Sequence, residues 1–235
     1  MMAKQSLALA LVGLACLCAP GAQVVQTQAP KVPIPQSGVP QIMTLEGTFV
    51  RAAYNNEGYV IIGYQLAQRS IGESWMLLET GMTLRDGVSE QVLKRDAISL
   101  ETPDGKTLPM ASATEQRAAN LSALQNRERV QRDSINYFPP SATRPCRIGF
   151  FAELSSPVMS YDEVALSNTR ACLGRLYFNL PGKIQYGQHW LNVKLEKTLI
   201  RVPFKILTKE EEKLLSSNFK DIRKQVQDAF RPPKK

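Results

Sequence analysis

Apolar residues are arranged in three ways along this chain. They run together from Leu7 to Cys18, alternate with polar residues beyond residue 41, and recur at intervals of three and four past residue 208. Each arrangement belongs to a different kind of structure.

The alternating region predicts strands with one buried face. Tyr59 to Leu66 puts Val60, Ile62, Tyr64 and Leu66 on one side, and the turn Asn55-Asn56-Glu57-Gly58 joins it to Leu45 to Ala53 as an opening hairpin. Trp75 to Arg85 aligns Met76, Leu78, Met82 and Leu84 and ends at Asp86-Gly87, while Ala97 to Glu101 runs into Pro103-Asp104-Gly105. The second half predicts four more strands, with inward sets Ile148/Phe150/Ala152/Leu154, Leu176/Phe178/Leu180, Leu191/Val193/Leu195 and Ile200/Val202/Phe204/Ile206. Many short strands with turn signals between them predict a mainly β fold, an antiparallel sandwich or barrel occupying residues 42–207. No βαβ alternation occurs, which argues against a parallel sheet.

Two helices join this body. Ser112-Ala113-Thr114-Glu115 is a capping box opening a polar, Arg-rich helical insertion over 112–136. Thr208-Lys209-Glu210-Glu211 is a second box, and Leu215, Phe219, Ile222, Val226 and Phe230 then form the apolar stripe of a C-terminal amphipathic helix over 208–231, stopped by Pro232-Pro233. Lys220, Arg223 and Lys224 accompany the stripe. A basic amphipathic helix either lies on an anionic surface, packs on a partner, or docks on its own domain. Phe219, Ile222, Arg223, Val226 and Phe230 are therefore the candidate contact residues.

The uninterrupted run near the start, with Lys4 before it and Ala19-Pro20-Gly21-Ala22 after it, has the order of a secretion signal over residues 1–22 and is too short for a permanent bilayer anchor. Cys16 offers an alternative, a lipid-modified cysteine, although Gly13 stands where such signals carry a larger aliphatic residue. Residues 23–41, rich in Pro, Gln and Val, read as an extended tether. The expected location is secreted or periplasmic.

Export changes the meaning of the cysteines. Cys16 and Cys18 leave with the signal, and in an oxidising compartment the remaining pair, Cys146 and Cys172, is most simply a disulfide. A redox-active pair would favour a Cys-x-x-Cys spacing, which is absent. Lys and Arg exceed Asp and Glu by 8, spread along the chain, which suits anionic surfaces better than nucleic acid. The single histidine, His189, shares the inward parity of Leu191 and leaves little for a His-based nucleophilic site or a zinc cluster. Glu153, Asp162 and Glu163 are near in sequence, but the adjacent pair reads as a solvated turn. No phosphate-binding glycine loop is present, and no cofactor or metal is expected.

The runs Tyr59-Val60-Ile61-Ile62-Gly63-Tyr64-Gln65-Leu66, Met82-Thr83-Leu84-Arg85-Asp86-Gly87 and Leu100-Glu101-Thr102-Pro103-Asp104-Gly105-Lys106 resemble the early strands of secreted bacterial immunoglobulin-like β-sandwich domains. The stretch from Pro181-Gly182 through Leu191-x-Val193 to Val202-Pro203-Phe204-Lys205-Ile206 is similar to their last hairpin. The likeness covers residues 44–207; the Arg-rich insertion and the C-terminal helix depart from it. It implies adhesion, assembly or ligand binding. The expectation is a non-enzymatic binding or scaffold protein of the cell envelope, whose partner is an envelope protein or anionic surface. The alternative is an envelope carbohydrate or peptide hydrolase using Glu153, Asp162 or His189.

Overall fold

A computed structural model describes residues 41–151 and 159–218. The strands are β1 (Ile42–Gly47), β2 (Val50–Tyr54), β3 (Gly58–Gly63), β4 (Trp75–Leu84), β5 (Gln91–Lys94), β6 (Ile98–Glu101), β7 (Thr107–Pro109), β8 (Arg144–Ile148), β9 (Glu163–Leu166), β10 (Arg170–Asn179), β11 (Gly187–Lys194) and β12 (Leu199–Ile206). Helices α1 (Gln65–Arg69), α2 (Ala113–Ala118) and α3 (Ser122–Val130) lie between them, and α4 covers residues 209–218.

The molecule is mainly β. One sheet of six strands has the order β1-β2-β3-β4-β10-β8, a second of four has β12-β11-β6-β7, and β5 pairs with β9. Among the described residues every pairing is antiparallel except β8 with β10, which is parallel and sets Cys146 opposite Cys172. Val60, Ile62, Met76, Leu78, Met82 and Leu84 from the first sheet share one core with Ile98, Leu100, Leu191, Val193, Ile200, Val202, Phe204 and Ile206 from the second. These include most of the inward positions that alternation assigns, and burying each such side chain contributes about 1.5–3 kcal/mol.

Alternation also assigns a wet outer face, and there the structure differs. Ile61 and Leu77 occupy outward parity yet are 0% and 1% exposed. The cover is the helical region and the chain after it. The 112–136 insertion is two short helices and then extended chain, not one helix. Ser112 does form the expected capping box with Glu115, but the backbone turns to extended geometry at Ala119, and Asn120 Oδ1 accepts the Ser122 N–H where α3 begins. Beyond Val130 the chain crosses the outer face of the six-stranded sheet, where Ile135 and Phe138 pack on Val50, Ala52 and Ile61.

Three other expectations need correction. The strand expected over Tyr59 to Leu66 stops at Gly63, because the chain turns there into α1; Tyr64 and Leu66 are still buried. Leu45 to Ala53 divides into β1 and β2 around a tight turn, with Gly47 opposite Val50. The strand expected from Ile148 onward lies earlier, at Arg144–Ile148; its mostly exposed residues give no alternation to read, and Ala152 and Leu154 fall outside the described residues.

The second capping box is formed: Glu211 N–H donates to Thr208 Oγ1 at 3.3 Å and Thr208 N–H to Glu211 Oε2 at 3.1 Å. Gln68 of α1 fixes the approach, its amide exchanging hydrogen bonds of 2.7 Å with both the carbonyl and the N–H of Leu207. Phe219, Ile222, Arg223, Val226 and Phe230 lie outside the described residues, as do Cys16 and residues 1–40. Among the described residues no helix is long and apolar enough to cross a membrane.

Candidate functional site: a groove beside an edge strand

A groove of about 560 Å³ lies on the outer face of the six-stranded sheet. β10 forms its floor with Leu173, Gly174, Arg175 and Tyr177; β8 forms one wall, and the extended chain from Arg132 to Asn136 forms the other. β8 reaches this position because Gly174 lets it approach β10 closely. A Cβ at Gly174 would lie 2.5 Å from Ile148 Cβ and 2.6 Å from the Ile148 carbonyl oxygen, so any side chain there would push β8 away. The sulfurs of Cys146 and Cys172 stand at disulfide distance, 2.18 Å, with their Cα atoms 4.1 Å apart. That crosslink ties the groove wall to its floor.

At one end of the groove three carboxyl groups converge from three elements. Glu79 projects outward from β4, opposite Arg175 of β10 and beside Gly63 of β3. Asp133 donates its backbone N–H to Glu79 Oε2 at 2.7 Å and accepts the Gln65 N–H on Oδ2 at 2.8 Å. Glu128 of α3, fully buried, receives Arg175 Nη2 at 2.7 Å and lies 3.1 Å from Arg132 Nε, both on Oε1. Burial pushes the Glu79 carboxyl up to about 7, reinforced by the neighbouring Glu128 and Asp133 carboxyl groups, with the Asp133 N–H opposing. Burial likewise pushes Asp133 up to about 6 against the hydrogen bond from Gln65.

The residues considered for catalysis are not assembled. Asp162 carries an 89% exposed side chain and pairs with Arg95 at 3.0 Å. His189 is fully buried in β11, stacked on Phe204 with ring centroids 5.3 Å apart; its Nδ1 donates to the Gly187 carbonyl at 3.1 Å, and burial lowers its basicity. Glu153 lies outside the described residues. Arg95 has a different task. It donates to the carbonyls of Ala111, Phe150 and Tyr161 and stacks on Phe151, so it ties these separate stretches of chain together.

Sequence reasoning missed Glu79, Glu128 and Asp133. Two signals were available: Glu79 is the only charged residue of β4, and Gly81 and Gly174 interrupt strands where a close approach is the usual reason. No family model, no curated protein and no solved structure matches the chain.

Proposed function

We propose that this chain is a non-enzymatic, exported binding or scaffold protein of the cell envelope, and that it holds an extended segment of a partner polypeptide in the groove beside β8. The observation that carries this reading is the groove itself. β8 and the chain from Arg132 to Asn136 stand as two walls over a β10 floor, and the space between them is lined by apolar Leu173 and Ile148 together with Arg147 and Asn136. An extended segment lying between such walls gains apolar contact along its length and polar partners at either side. The Leu7–Cys18 run and the paired cysteines support the exported location.

A sandwich of the immunoglobulin kind is part of the same proposal. The order β3-β4-β10 in one sheet against β12-β11-β6-β7 in the other follows the A-B-E and G-F-C-C′ strand order of that fold. The parallel β8, standing where an antiparallel D strand would be, and the added hairpin β1-β2 depart from it. The stripe Phe219, Ile222, Arg223, Val226 and Phe230 is kept as a second contact.

A photo-crosslinking amino acid at Leu173, which is 40% exposed, tests the reading in the exporting host. It is expected to capture one discrete envelope polypeptide, and the capture is expected to weaken at least tenfold when Arg147→Glu is added. Capture from position 222 but not from 173 would move the contact to the C-terminal helix and overturn the groove assignment.

A further inference from the structure

We infer that the polypeptide segment held in the groove carries an apolar residue over Leu173 and, two positions away, a lysine or arginine whose cation sits between Glu79 and Asp133. This rests on the groove reading above and adds the chemistry of the occupant.

The polar end of the groove supplies the charge. Glu79 of β4 and Asp133 of the chain from Arg132 to Asn136 both line it. Each has one carboxyl oxygen taken by a backbone donor: Glu79 Oε2 accepts the Asp133 N–H at 2.7 Å, and Asp133 Oδ2 accepts the Gln65 N–H at 2.8 Å. Gly63 makes room for this arrangement, since a Cβ there would lie 2.5 Å from the Asp133 Cβ. Among the described residues neither Glu79 nor Asp133 forms an ion pair. Arg132 and Arg175, which also line the groove, are directed at Glu128 Oε1, at 3.1 Å and 2.7 Å.

The two carboxyl groups are therefore held in place by neutral donors. Burial opposes their charged forms, whereas the backbone N–H groups favour them. A cation brought by a ligand offsets that opposition, because an opposite charge within about 4–6 Å stabilises a carboxylate. The neighbouring Glu128 carboxyl adds to the negative potential around Glu79. An acidic residue of the bound segment at this place would add a further carboxylate, and a neutral one would leave the pair without a cation.

The strand register sets the spacing. Leu173 stands opposite Gly81, and Arg175 stands opposite Glu79. Leu173 and Glu79 both face the groove, so they are offset by two residues, about 7 Å along the strands. That is the separation of residues i and i+2 on one side of an extended chain. Leu173 is 40% exposed and offers the apolar surface of the floor.

The test uses the full chain in the exporting host, with a photo-crosslinking amino acid at Leu173 and the captured peptide sequenced after a digestion that spares lysine and arginine. A lysine or arginine two positions from the crosslinked residue is expected. Glu79→Gln and Asp133→Asn each keep an acceptor for the backbone donor and are each expected to lower capture about fivefold, the weight of one half-buried ion pair. Glutamine in place of the captured segment's basic residue is expected to give the same loss, with little further loss when it is combined with Glu79→Gln. A captured segment without lysine or arginine at that spacing, or undiminished capture in either folded variant, would overturn the inference while leaving the groove reading in place. No capture from position 173 would overturn the groove reading and this inference with it. Should Glu79→Gln fail to fold, Asp133→Asn, on a segment outside both sheets, carries the same comparison against the glutamine-substituted partner.

Discussion

A carboxyl group in the middle of a buried strand must be stabilised by a proton, a donor or a cation, and Glu79 has a donor directly and a cation close by. It accepts the N–H of Asp133 and stands opposite Arg175, which pairs with Glu128. Because the folded state raises Glu79 and Asp133 above their ordinary values, folding favours their protonated forms. Their contribution to stability is therefore greatest below the unfolded values, near pH 4, and is lost as pH rises through about 6 and about 7. The expected outcome is a protein about 1–2 kcal/mol more stable at pH 5.5 than at pH 8.5, after allowance for solvent screening of half-buried groups. Urea unfolding at the two pH values measures this, and Glu79→Gln should remove most of the difference. The oddity of Glu79 was legible in the sequence, since it is the one charge in an apolar strand. Its partners were not, because Glu128 and Asp133 reach it only across the fold and no local period connects such distant positions. His189 shows the opposite case, where strand parity alone placed it inside.

The elements that could be read were those whose environment matches their period. β4, β6, β11 and β12 lie close to the expected positions because a face of each meets the shared core. The 131–143 segment could not be read, because its apolar residues, Ile135 and Phe138, are spaced by the glycines and small side chains of the sheet beneath them and not by a helix of their own. β8 was placed too late for a related reason: it is held by parallel pairing to β10 and by the crosslink at Cys146, while its own residues are mostly exposed. That crosslink belongs to the element scale, since it closes a loop spanning 26 positions and ties an edge strand to its neighbour. Replacing both cysteines by serine is expected to lower stability by about 3 kcal/mol, with the loss concentrated in faster amide exchange of β8 relative to β4. Unchanged stability with unchanged exchange in β8 would mean that parallel pairing alone holds the groove wall.

At the scale of the whole molecule, two sheets close over one core, and the outer face of the larger sheet is shared between a covering segment and an open groove. Mainly β architecture was legible from turn spacing and alternation. The mixed pairing of β8, the division of the insertion and the covered outer face were not, since each depends on residues far apart in the chain. The proposed role depends on the mature body reaching an oxidising space without its first residues. The most direct test is the intact mass, after thiol blocking without reduction, of the protein recovered from the compartment outside the cytoplasm. The account expects a chain beginning near Gln23, with Cys146 and Cys172 unlabelled. A full-length chain recovered from the cytosol with both thiols labelled would contradict it.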